Sequence, residues 1–91
     1  MEIINYLANI LSISIDISPA GARGLIKLSI KDQMGVFFPL NQLNYTNLKL
    51  IIQNSLKKRM IDLKIKEVET IIELLLSELS KNQSLITVER I

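Results

Sequence analysis

The strictest pattern in the chain is an alternation. From Leu11 to Ser18, apolar Leu11, Ile13, Ile15 and Ile17 interleave with polar Ser12, Ser14, Asp16 and Ser18. A period of two puts the two sets on opposite faces of an extended chain, so this stretch predicts a half-buried β-strand. Ser18 to Gly24 (SPAGARG) has turn chemistry, because proline sets φ and the glycines admit positive φ. A second alternating run extends from Leu25 to Lys31. Pairing Ile17 with Ile26 sets Ile15 opposite Leu28 and Ile13 opposite Ile30, with Ser14 against Ser29 and Asp16 against Lys27 behind. Both faces agree in that register, and a one-residue slip would turn every isoleucine to solvent. The expectation is an antiparallel hairpin.

Asp32-Gln33-Met34-Gly35 then reads as a tight turn, and Val36, Phe37 and Phe38 as a third strand that packs the core and stops at Pro39, which lacks a ladder donor. Ahead of the hairpin, Glu2 to Asn9 predicts a short helix through Ile3, Leu7 and Ile10. After Leu43 there is neither glycine nor proline, and the apolar spacing becomes helical. Asn44 or Thr46 caps a helix A with the stripe Leu48, Ile52, Leu56, Met60 and Leu63. Val68, Ile71, Ile72, Leu75 and Leu79 mark a helix B running to about Lys81. One helix of about 35 residues would exceed the usual length, so two helices with a bend near Lys64 to Lys66 are expected. Asn82 to Ser84 ends helix B, and β-prone Leu85 to Ile91 (LITVERI) predicts a closing strand. The predicted fold class is α+β in a single small domain, residues 1–91. It is a three-stranded antiparallel meander with two packed helices, a short N-terminal helix and a C-terminal edge strand.

Sixteen Ile and fifteen Leu in 91 residues supply the dense core that so short a chain needs. There is no Cys and no His. Thiolate nucleophiles, disulfides, Cys-based zinc and iron–sulfur sites, the usual neutral-pH general base and the commonest transition-metal ligand are thereby excluded. Glu69 and Glu73 lie four apart on one helical face, but without His ligands they read as a solvated face. No glycine-rich phosphate loop or nucleophile elbow is present. The sequence therefore predicts a non-enzymatic protein with no catalytic, cofactor or metal site and no small-molecule substrate. The longest charge-free runs, Ile3 to Ile15 and Gln33 to Leu48, are too short and polar for the ~20 apolar residues of a membrane span. Glu2 stands where a secretory leader carries a basic residue. An intracellular, cytoplasmic protein with no membrane partner is expected.

The net charge of +2 conceals a segregation. Residues 48–66 carry six basic and one acidic side chain, and residues 67–91 carry five acidic and two basic. Complementary flanks of two antiparallel helices account for it. The alternative is a sequence-independent nucleic-acid-binding surface of Arg23, Lys27, Lys57, Lys58 and Arg59. Against it, Lys57 and Lys58 point 100° apart on a helix and Arg59 falls on the apolar stripe. The order helix, three strands, helix resembles that of a double-stranded-RNA-binding domain, whose lysine-rich motif opens its last helix. Here the basic triplet stands midway along helix A, so only the order of elements is shared. Gln33 to Phe38 (QMGVFF) resembles the sliding-clamp-binding peptide, but its aromatic pair comes too early. Helix B is more informative: Val68, Ile71, Ile72, Leu74, Leu75, Leu76 and Leu79 cover about 200° of its surface, against about 100° for an ordinary surface helix. Left uncovered, such a face is an exposed apolar patch. The favoured function is thus a protein–protein interaction module, as a small accessory subunit of a larger complex or a homodimer. Its expected anchors are Leu50, Ile61, Ile71, Leu74 and Leu76.

Overall fold

The alternating segments fold as helices. The computed structural model describes residues 2–90, and the side chains of residues 2–86. It runs α1 (Glu2–Ile15), α2 (Pro19–Met34), a 3₁₀ turn (Leu40–Gln42), α3 (Tyr45–Leu50), a π-helical segment (Ile51–Leu56), α4 (Lys57–Asp62), α5 (Val68–Lys81) and α6 (Gln83–Arg90). No strand occurs among the described residues. The fold is all-helical, which overturns the expected α+β domain with its meander and removes the likeness to an RNA-binding domain.

In α1 the apolar set Ile3, Ile4, Leu7, Ala8 and Leu11 is buried, a continuous helical stripe that carries the helix through the alternating stretch. Leu11 is wholly enclosed while Ile13, two residues on, is 84% exposed. A strand would have put both on one face. The serines fit because their hydroxyls bond within the local turn: Ser14 Oγ donates to the Ile10 carbonyl at 2.9 Å and Ser29 Oγ to the Leu25 carbonyl at 2.9 Å. Ser12 Oγ donates to the Ile17 carbonyl at 2.6 Å, across the break that Asp16 makes by adopting positive φ. Hydroxyls so satisfied can sit in a helix interior and even be buried.

What reads as a loop, SPAGARG, is the start of α2. Ser18 is the N-cap, its Oγ accepting the Gly21 N–H at 3.0 Å, and Pro19 takes the first turn, where its missing N–H costs nothing. Ala22, Leu25, Ile26, Ser29 and Ile30 form the buried face, spaced three and four apart. The small residues Ala22 and Ser29 sit where the helix comes against its neighbours. Asp32 to Met34 are the last turn of α2, and Gly35, at φ 94°, ends it by donating its N–H to the Lys31 carbonyl at 2.9 Å. Val36, Phe37 and Phe38 follow as loop, not strand.

Helix A matches its expected start. The Asn44 side chain accepts the Asn47 N–H at 2.8 Å and Asn47 returns the bond at 3.1 Å, a reciprocal cap. Leu48, Ile52, Leu56 and Met60 are all buried. Residues spaced by four drift about 40° per step on an α-helix, so four of them would wind off one face. The π segment holds more residues per turn and takes out much of that drift, which keeps the four aligned. Leu63, the expected fifth, is exposed because the helix has ended at Asp62. Lys64 and Glu67, both left-handed, make the bend without glycine, and α5 then runs to Lys81 as expected. The expected C-terminal edge strand is instead the helix α6, with Ile91 outside the described residues.

The contacts close a circuit: α1 packs on α2 and α5, α2 on the π segment, and α5 on α3, the π segment and α4. α6 lies against α1 and the 3₁₀ turn. The radius of gyration, 12.0 Å, is that of a compact chain of this length. Between elements, the Tyr6 hydroxyl donates to Glu78 Oε1 at 2.5 Å, tying α1 to α5, and Lys57 Nζ meets Glu69 Oε1 at 2.6 Å, tying α4 to α5. Among the described residues no single helix is long and apolar enough to cross a membrane. α1 and α2 meet that measure only as a pair, bent by 115° at the break between them.

Candidate functional site

Two clefts border α2. The larger, about 470 Å³, is lined by Asp32, Ser55, Lys58, Arg59 and Asp62. Two of its charged groups, Asp32 and Arg59, are engaged with each other. Arg59 donates from Nε to Asp32 Oδ2 at 2.5 Å and from Nη2 to Oδ1 at 3.0 Å, a bidentate pair joining α2 to α4. That hydrogen-bonded guanidinium holds the Asp32 carboxyl below the usual carboxylate range. Ser55 Oγ, in the π segment, donates to Gln33 Oε1 at 2.8 Å beside it. Lined by no hydrophobic or aromatic residue, this cleft lacks the side chains that small-molecule sites use. It acts as a clasp between elements.

The second cleft, about 260 Å³, lies between α2 and the loop that follows it, lined by Lys27, Ile30, Lys31, Gly35, Val36, Phe38 and Leu40. Gly35 makes it: at φ 94° the backbone leaves the helix in a direction closed to other residues, so the next residues run over the flank of α2. Phe38 is half-buried against the core and pins the loop. Phe37 is 94% exposed and Val36 64% exposed, with Leu40 also open to solvent. The sequence places Phe37 in the core as a strand residue, but the structure puts it on the outside. Arg23, Lys27 and Lys31, four apart on α2, form a basic stripe on the flank that carries Ile30, and among the described residues none has a carboxylate within ion-pair distance.

The expected anchors divide. Leu50, Ile61 and Leu74 are exposed, Leu76 is half-buried against the core, and Ile71, 8% exposed, belongs to the core itself. Helix B does need cover on more than one side, but α1 and the α3–α4 stretch supply most of it. Of the expected nucleic-acid contacts, Lys57 and Arg59 are held by Glu69 and Asp32, Lys58 lines the larger cleft, Arg23 is half-buried and Lys27 rims the smaller one. Two of the triplet's three cations, Lys57 and Arg59, are held in separate ion pairs. Sequence reasoning missed Lys31, Val36, Phe37 and Leu40. The four-residue spacing of Arg23, Lys27 and Lys31 was the available signal, hidden once α2 was read as a strand. Among the described residues no group of three or more acidic side chains is placed to hold a metal ion.

Comparison with known proteins finds no matching family model, no matching curated protein and no matching solved structure.

Proposed function

We propose that this protein is a non-enzymatic protein–protein interaction module whose binding face is the Gly35–Leu40 loop and the basic flank of α2. One observation carries this reading: Phe37, the most exposed large apolar side chain among the described residues, stands in the loop whose Val36, Phe38 and Leu40 line an apolar cleft. A phenylalanine in water gains nothing for folding, whereas aromatic anchors dominate binding energy at interfaces. The cleft is below the roughly 300–1,000 Å³ of small-molecule pockets and suits one or two side chains of a partner. Sequence-independent nucleic-acid binding has less support, because Lys57 and Arg59 are already paired.

The test is a photo-crosslinking amino acid at position 37, installed in cells that naturally make the protein, with Asn41 as an exposed control. A discrete protein adduct at position 37, and none at position 41, is expected. Absence of any protein adduct at 37, or equal labelling at both positions, overturns the reading.

A further inference from the structure

Resting on that reading, we infer that the partner presents an acidic amphipathic helix, which crosses α2 with one large apolar side chain seated in the 260 Å³ cleft. The argument is geometric and electrostatic. Arg23, Lys27 and Lys31 climb α2 in steps of four residues, about 6 Å per step and about 12 Å in all. Acidic residues four apart on a second helix form a ridge of the same inclination, so a helix crossing α2 at about 50° brings its carboxylates alongside these cations. The cations on α2 have no carboxylate among the described residues, so they are available. Beside the stripe, Ile30, Val36, Phe38 and Leu40 line a hollow that takes an apolar residue from the partner's adjoining face, and the exposed Phe37, between Val36 and Phe38 in the chain, offers a second apolar contact outside it. The core of this interface is apolar and its rim basic, the arrangement in which opposite charge sets orientation and register.

The probe is a fluorescein-labelled helical peptide about four turns long, with glutamates every fourth position and leucines on the neighbouring face, titrated against the full chain by fluorescence anisotropy. Binding is expected, and it should weaken as salt rises. Lys27→Glu with Lys31→Glu should reduce affinity about ten-fold or more, and the same peptide with lysines in place of glutamates should bind this variant better than it binds the original protein. Phe37→Ser should also weaken binding, while Leu50→Ser, on α3, should leave it unchanged. Circular dichroism confirms that each variant is folded. No binding, or binding indifferent to the charge exchange, overturns the acidic helix. So does sedimentation with phosphatidylserine vesicles, or a shift of a single-stranded oligonucleotide, when the peptide fails to bind. If the crosslink at position 37 captures a protein and the peptide does not bind, the partner's class is wrong and the interaction reading stands. Failure of both removes the reading itself.

Discussion

The helical phase of the first thirty-four residues can be tested with two neighbouring side chains. Leu11 and Ile13 share a face on a strand, whereas in α1 Leu11 is enclosed and Ile13 is 84% exposed. Leu11→Ala deletes most of an enclosed side chain that packs against the core cluster, and such truncations cost about 2–5 kcal/mol. A domain of this size has about 5–15 kcal/mol of stability in all, and each kcal/mol moves its midpoint by about 4–8 °C, so the melting temperature should fall by at least about 8 °C. Ile13→Ala removes almost nothing from the interior and replaces a β-branched residue by the best helix former. Its effect should lie within about 0.5 kcal/mol of zero, on the stabilising side. The assay is urea denaturation followed by far-ultraviolet circular dichroism, with both variants compared at equal slope. Comparable losses for the two substitutions would refute the helical phase, and with it the placement of every side chain on α1.

Gly35→Ala forces a side chain into a backbone conformation at φ 94° and ψ 155° that only glycine adopts readily, although nothing crowds the added atom. The strain alone should destabilise by about 1–3 kcal/mol in the same urea assay, or displace the following loop. Stability should also fall at both ends of the pH scale. Hydrogen bonds from Arg59 and Tyr6 hold the Asp32 and Glu78 carboxyls below their usual values. Their contribution is therefore complete above the unfolded carboxylate range of about 3.9–4.3 and is lost as pH drops through their lower folded values. The Tyr6 phenol is raised by its bond to Glu78, so its contribution is complete below about pH 10 and is lost as pH climbs through the folded value. Tyr6→Phe should flatten the alkaline limb, measured as urea midpoints across pH.

Residues 44–81 were legible because their signals are mutually consistent, whereas the β-prone stretch from Leu85 predicted a strand and Gln83–Arg90 is the helix α6. A capping asparagine, apolar spacings of three and four, and no interior glycine or proline all name a helix, and both helices appear where they were expected. The first half carries conflicting signals. Ser12, Ser14, Ala22 and Ser29 count as breaks in an apolar pattern, yet three of them are buried in helices, two as serines with internally bonded hydroxyls and one as a small residue at a packed face. Ser18-Pro19 opens a helix as readily as it closes a strand, and Gly24 sits in α2 with open space around it. The matched hairpin register was a coincidence of isoleucines spaced by two. The helical stripe Ile3, Ile4, Leu7, Ala8 and Leu11 continues into the buried Ser12, where a polar residue on the core face hides it behind the local alternation.

The candidate site was harder to read for a related reason. An excess of apolar residues on helix B signals that something must cover it, but a sequence does not say whether the cover is internal. Here α1 and the α3–α4 stretch supply most of it, leaving Leu74 at the margin. Three exposed apolar side chains, Val36, Phe37 and Leu40, fall together on a loop whose aromatic pair looked like core. Loops carry binding residues because a rigid scaffold can hold them without depending on them. Phe38 faces in and pins the loop, and Phe37 faces out. On the proposed reading Phe38 serves folding and Phe37 binding, so Phe38→Ala should cost stability where Phe37→Ala costs only binding.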